Sequence, residues 1–389
     1  MLKLPVYMDY NATTPCDPRV VEAMLPFFTI HFGNAASHNH SFGWQAEEAV
    51  EFAREKIARL VGSEPKEIIF TSGATEAVNL ALKGIYEMYQ GKGNHIITCN
   101  IEHKAVLDTC QHLEKLAADI TYLKVNSDGL IDLNELEAAF KPTTILVTVM
   151  YANNEIGTIM PVKEISRIAK DKEVIFFCDA TQAVGKIPVD VVKDGIDIMA
   201  FSAHKMYGPK GIGALYVRRK NPRVKLTAQM DGGGHERGMR SGTLNVPGIA
   251  GFGKAAELCL LEMDSEGTIT CRLRDKLENA LLSIEDTCLN GSKEHRLPNV
   301  TNLSFKYAES DNLLMEINKN IAVSTGSACM SATLGPSYVL KALGLSDKDS
   351  RSSLRFSLGR FTTEEQIDYT IEQVVKAVRK IKEMNPQFE

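Results

Sequence analysis

An amine able to bond covalently to a carbonyl stands at Lys205, inside Phe201-Ser202-Ala203-His204-Lys205-Met206-Tyr207-Gly208-Pro209. The apolar run Ile198-Met199-Ala200-Phe201 predicts a buried strand that delivers the lysine at its end, beside a Gly/Pro turn. Apolar surroundings disfavour the charged ammonium, so such an amine is nucleophilic near neutral pH and suited to a Schiff base. Taken alone, a lysine at a strand end more often snorkels to water. Lys205 has company: Ser202 and His204 bring hydrogen-bonding groups within three residues of it.

Asp179 follows a second apolar run, Val174-Ile175-Phe176-Phe177. An acid at that exit is a helix N-cap or a functional carboxylate at the C-terminal edge of a parallel sheet. With Lys205 on the next strand end, the second reading gains weight. A carboxylate that keeps a pyridine nitrogen protonated, beside a Schiff-base lysine, is what pyridoxal chemistry requires. Thr71-Ser72-Gly73-Ala74-Thr75-Glu76 joins a predicted strand to a helix and reads equally as a phosphate site at a helix start or an ordinary capping box. The stretch Asp231 to Thr243 combines a triple glycine with Arg237 and Arg240, a mix suited to holding an anion. Gly208-Pro209-Lys210-Gly211-Ile212-Gly213 carries a fragment like a nucleotide-binding loop, but no helix follows, so it reads as a turn. His103 follows a strand, where capping is the commoner role, and the functional one is catalytic: stacking on a planar ring and moving protons. Tyr151-Ala152-Asn153-Asn154-Glu155 ends a buried strand with amides suited to a phenolic oxygen. Cys329 sits among small polar residues, Ser324 to Pro336, with no periodicity. A thiol in such a loop is exposed to oxidation, and its presence there suggests use.

These groups need a frame. From Glu67 to Val217 short β-branched runs alternate with helical periods: strands at Glu67 to Thr71, His95 to Cys99, Ile120 to Leu123, Thr144 to Val149, Val174 to Phe177, Asp197 to Phe201 and Gly213 to Val217. Helices at Thr75 to Tyr89, His103 to Leu116 and Val162 to Asp171 separate them, which predicts a mainly parallel seven-stranded sheet with helices on both faces. Only a short turn precedes the strand Gly213 to Val217, so it is expected to pair antiparallel. A long helix from Pro247 to Ser283 leads to a second block: a strand at Val300 to Phe305, a helix at Asp311 to Asn318, a strand at Ser353 to Ser357 and a helix at Thr363 to Met384. The expected division is a large domain over 15–260 and a smaller α+β domain from 1–14 and 261–389 that carries the Cys329 loop.

At 389 residues with net charge −5, the chain has room for more than one core and no basic field for nucleic acid. No apolar run has membrane-spanning length, and the start lacks a leader pattern, so a cytoplasmic enzyme is expected. The eight cysteines include no Cys-x-x-Cys pair, which argues against a metal site and for buried, reduced thiols.

In its ordered motifs the chain resembles the cysteine desulfurases of the housekeeping iron–sulfur cluster assembly class, within the fold-type I pyridoxal-phosphate (class V aminotransferase) superfamily. The likeness runs end to end: Tyr10-Asn11-Ala12-Thr13-Thr14-Pro15, the Thr71 to Glu76 loop, Glu102-His103-Lys104, Asn153-Asn154-Glu155, Asp179-Ala180-Thr181-Gln182, the His204-Lys205 segment, the triple-glycine loop, the Cys329 loop and Ser357-Leu358-Gly359-Arg360-Phe361. Ala203 departs from the usual glycine, which is expected to add a methyl near the cofactor, and Met330 from a usual small polar residue. The resemblance implies pyridoxal 5′-phosphate bound to Lys205, with Asp179 on the pyridine nitrogen and His103 stacked on the ring. It puts Gln182 and Asn154 at the phenolic oxygen, and Ala74, Thr75, Ser202 and His204 at the phosphate. Thr243 would reach the phosphate of a neighbouring subunit, which implies a homodimer. Arg355, with Asn154, would take the substrate carboxylate. The implied reaction turns L-cysteine into L-alanine: Lys205 acts as general base, and Cys329 takes the sulfur as a persulfide. Its acceptors would be an iron–sulfur scaffold protein and sulfur carriers for tRNA thiolation, with Cys329 a transient ligand to a nascent cluster. An aminotransferase or a selenocysteine lyase-like enzyme is the alternative; it shares Lys205 and Asp179 without needing Cys329.

Overall fold

The computed structural model describes residues 2–306, 308–325 and 335–384. Its central sheet has seven strands: β2 (Ile68–Thr71), β3 (His95–Cys99), β4 (Asp119–Leu123), β5 (Thr144–Thr148), β6 (Ile175–Asp179), β7 (Ile198–Ser202) and β8 (Gly213–Val217). Their spatial order is β2-β8-β7-β6-β5-β3-β4. β3 to β7 pair in parallel, while β8 pairs antiparallel with both β7 and β2. The C-terminal ends of β2, β3, β5, β6 and β7 therefore open on one edge.

Alternation along each strand divides the core in two. Ile69, Ile96, Leu146, Phe177, Ala200 and Leu215 face the helices Ala74–Tyr89 and Lys104–Glu114. Ile68, Phe70, Ile97, Val147, Phe176, Met199 and Phe201 face Ser41–Val61, Val162–Asp171 and the first half of Val246–Leu282. Strands covered on both faces read as continuous apolar runs, which is why their positions were legible. The helix Ser41–Val61 had no counterpart in the sequence reading. Its apolar positions Ala46, Val50, Ala53 and Ile57 recur every three or four residues, and it packs on the long helix so closely that a Cβ at Gly253 would lie 2.5 Å from Ala53 Cα.

The remaining strands are β1 (Val6–Tyr7), β9 (Thr287–Leu289), β10 (Val300–Phe305), β11 (Ile321–Ala322) and β12 (Ser353–Ser357). β12-β10-β9 form an antiparallel sheet, and β1 pairs with β11 in parallel. Val6, Met8, Leu303, Phe305, Leu354 and Phe356 build a separate core with Leu273, Leu277 and Leu281. The long helix thus has its first half in one core and its second half in another, and position 260 lies within its continuous turn. Cys99, Cys110, Cys178 and Cys259 are buried thiols, whereas Cys288, on the edge strand β9, is exposed. No helix among the described residues is long and apolar enough to cross a membrane.

Candidate active site

β6 and β7 are parallel neighbours, with Asp179 in register with Ala200. Asp179 and Lys205 accordingly leave the sheet side by side and line one cavity of about 570 Å³. Lys205 Nζ donates to the backbone carbonyls of Asn11 (2.5 Å) and Ala12 (2.7 Å). Asp179, 6% exposed, accepts from the Thr181 N–H at 3.0 Å, which fixes its carboxylate at the strand exit.

The cavity floor at β2 is the start of the helix Ala74–Tyr89. Its N-cap is Gly73, which offers no side chain to the first-turn N–H groups, so these remain available to an anion. β8 closes tightly on this turn: a Cβ at Gly213 would lie 2.7 Å from Gly73 Cα. Ser202 and His204 line the same end. His204 Nδ1 lies 3.1 Å from Thr13 Oγ1, and burial, with the charges of Lys205, Lys210 and Lys186, pushes its pKa down to about 4. Glu76, in the first helical turn, holds Arg240 at 2.7 Å and ties the triple-glycine loop to this helix.

His103 is the N-cap of Lys104–Glu114, and its Nδ1 accepts from the Ala105 N–H at 3.0 Å. Burial lowers its pKa, with Lys205 adding to the effect and Asp179 opposing it. The neutral ring therefore carries its proton on Nε2. Capping and cavity-lining roles coincide in this one residue. Asn154 and Gln182 also line the cavity; Asn154 Oδ1 has no partner among the described residues, and Gln182 Nε2 donates to Asn11 O at 3.0 Å. Behind them Lys186 Nζ donates to Gln182 Oε1 and Asn11 Oδ1, and burial holds its pKa well below the usual range.

Of the other expected residues, Ala74 and Thr75 line the cavity, whereas Thr243 is exposed and lies outside it. Arg355 on β12 also lies off the cavity wall. Its side chain is 1% exposed, the guanidinium donating to Asp9 Oδ1 (2.7 Å) and Asn154 O (2.9 Å), with Nε unpartnered among the described residues. Cys329 lies outside the described residues. The methyl of Ala203, expected near the cofactor, instead joins the core, because the residue sits behind the strand end; a Cβ at Gly208 would lie 2.8 Å from it.

Several residues of the site carry no role in the sequence analysis. Asn11 is the hub: 1% exposed, it also donates from its N–H to Ser357 Oγ and from its amide to Asn154 O. Thr13, Lys210 and Gly211 line the cavity. The motif Asn11-Ala12-Thr13-Thr14-Pro15 was the available signal, but its contribution runs largely through backbone carbonyls, which residue type does not encode.

A family model described as Aminotransferase class-V matches residues 6–370. "Cysteine desulfurase IscS" of Anaeromyxobacter dehalogenans (strain 2CP-C) is 57% identical over 389 residues, covering 100% of this chain and 96% of that protein. The protein of the same name from Proteus mirabilis (strain HI4320) is 56% identical over 390 residues, with the same coverage. A solved structure titled "NIFS-LIKE PROTEIN" superposes with a TM-score of 0.91 at 38% identity, covering 97% of this chain and 100% of the other.

Proposed function

We propose that this chain, which belongs to the class-V aminotransferase family and within it to the cysteine desulfurases, converts L-cysteine to L-alanine using Lys205, Asp179 and Cys329. The observation that carries this reading is the convergence of Lys205, the Asp179 carboxylate and an uncapped helix start on one cavity. That donor set fits pyridoxal 5′-phosphate. Ala74, Thr75, Ser202 and His204 would hold its phosphate, Asp179 its pyridine nitrogen, His103 its ring face, and Gln182 and Asn154 its phenolic oxygen. The amide oxygen of Asn154, unpartnered among the described residues, marks a polar position open to a ligand. When bound, the cofactor supplies the electron sink for charge developing at the substrate α-carbon.

The chain's own groups do the rest. Lys205 Nζ would anchor the cofactor, and its free amine would take the substrate α-proton. Arg355 would bind the substrate carboxylate, with Asn154 beside it, once its guanidinium turns toward the cavity from the buried contacts with Asp9 and Asn154 O that it makes in this structure. Cys329 attacks the substrate sulfur as a thiolate. The new S–S bond forms as the substrate's Cβ–S bond breaks, and the electron pair stays on the carbon skeleton, where protonation completes alanine.

The persulfide then passes to an iron–sulfur scaffold protein or to sulfur carriers for tRNA thiolation, in the cytoplasm. Phe28, Phe32, Phe42, Trp44 and Phe52, all about half exposed or more, support a homodimer in which Thr243 completes the neighbour's phosphate site. We retain the division into 15–260 and a smaller domain of 1–14 and 261–389.

Mass spectrometry after incubation with L-cysteine tests this reading. One added sulfur on Cys329, with alanine released in equal amount, is the expected result, and Cys329→Ser should give neither. Normal alanine and sulfide from Cys329→Ser would mean that sulfur leaves by elimination, and the desulfurase reading would fall.

A further inference from the structure

We propose that Glu155 is a positioning residue for sulfur transfer, fixing the chain that leaves Cys329 to the strand end that carries Asn154. The inference rests on the desulfurase reading. Ser337 lies eight residues beyond Cys329, and its Oγ donates to Glu155 Oε2 at 2.5 Å. Both residues are 3% exposed, so water does not compete for the bond.

Glu155 is itself held rigidly. Asn153 Oδ1 accepts from the N–H groups of Glu155 and Ile156, and Asn302 Nδ2 donates to the Glu155 carbonyl. Asn154, between them, faces the cavity. A second tie sits one residue further on: the Tyr338 hydroxyl donates to the carbonyl of Glu102, beside His103, at 2.6 Å.

The chain entering the Cys329 segment is fixed at the same place. Ser324 pairs with Arg355 through the backbone, and Arg355 NH1 donates to Asn154 O. Both flanks of the cysteine-bearing segment thus converge on Asn154 and Glu155, the turn that also faces the cofactor cavity. Nothing in the chemistry of the reaction requires a buried carboxylate at 155. Its one evident task is to hold Ser337 at a set distance from the reacting groups, where small displacements of a nucleophile cost large factors in rate.

Ser337 also caps the helix Tyr338–Ala342 through the Leu340 N–H, so the test must separate cap from tie. Ser337→Ala removes both, Glu155→Leu removes only the tie, and Ser337→Thr and Glu155→Gln keep donor and acceptor. In the cofactor-loaded enzyme, Ser337→Ala and Glu155→Leu should each lower alanine-forming turnover by roughly tenfold to a hundredfold. The cysteine KM should stay within about twofold and the cofactor absorbance should not change. Ser337→Thr and Glu155→Gln should retain turnover, and the Ser337→Ala/Glu155→Leu double variant should be no slower than the slower single one. In cofactor-free protein, Cys329 alkylation should speed up in Ser337→Ala and not in Ser337→Thr. Wild-type turnover in Ser337→Ala, effects that multiply in the double variant, or loss confined to KM or cofactor binding would each overturn the assignment. Absence of alanine from the wild-type enzyme would instead overturn the functional reading on which it rests.

Discussion

Glu236→Gln should lower the melting temperature by about 4–6 °C, because the native carboxylate neutralises a guanidinium that has no water to turn to. Arg54, with a side chain 4% exposed, donates from NH1 and NH2 to both oxygens of Glu236 at 2.8 and 2.9 Å, and the Phe70 N–H donates to the same carboxylate at 2.8 Å. Breaking one partner of such a buried pair costs about 3–5 kcal/mol, since the other charge is left uncompensated. Unfolding entropy of about 2.1 cal/mol/K per residue gives roughly 0.8 kcal/mol/K for 389 residues, and the quotient is the stated shift. The ion pair also holds Glu236 (φ 49°) and Arg237 (φ 60°) in left-handed conformations that cost non-glycine residues of order 1–3 kcal/mol each. Scanning calorimetry on wild type and Glu236→Gln measures the shift. The apolar double variant Arg54→Met/Glu236→Leu should recover most of it, because no charge is then stranded. A shift below about 1 °C in Glu236→Gln would show that Glu51, which meets Arg54 Nε at 3.0 Å, suffices alone, and the reasoning would be wrong.

Lys205→Ala should give a folded chain, by circular dichroism, with no visible absorbance from bound cofactor and no alanine formation; activity restored by cofactor alone would count against the assignment. Arg355→Lys should raise the cysteine KM by about tenfold or more with cofactor absorbance unchanged, since an ammonium cannot fork. Loss of cofactor would show that the Asp9–Arg355–Asn154 links are structural. Burial raises the Glu155 carboxyl from 4.5 to about 7, so between those values the folded chain holds a proton that the unfolded chain has lost. The stability it contributes is full below about pH 4.5 and is lost as pH rises through about 7. At about 1.36 kcal/mol per pH unit this is about 3 kcal/mol. Urea midpoints from pH 5 to 8.5 should therefore fall in wild type relative to Glu155→Gln, and parallel curves would contradict the shift.

The strand ends were the legible part. Val174 to Phe177 and Ile198 to Phe201 are apolar without interruption because both faces of the sheet are covered, and the polar residue that breaks each run falls where the sheet opens. Lys205, Asp179 and His103 could be found that way. What stayed hidden depends on partners far apart in sequence or on the main chain. Arg355 meets Asp9 across 346 positions, and Ser337 meets Glu155 across 182. Asn11 serves Lys205 through its carbonyl, for which any residue type would do. The methyl of Ala203 was assigned to the wrong side because the turn that follows β7, not the strand's alternation, decides where it points.

The antiparallel strand β8 has a consequence during synthesis. Among the described residues β2 pairs with β8 alone, so the segment Ile68–Thr71 has no ladder to join until Val217 has left the ribosome. Roughly 145 residues separate the two, and at about 5–20 residues per second the wait is of the order of 7–30 s. Through that interval the loop at Gly73 has nothing to fix it against Ser202. If this end holds the cofactor phosphate as proposed, a nascent chain cannot grip it, however early Asp179 emerges, and loading of the enzyme is tied to completion of its large sheet.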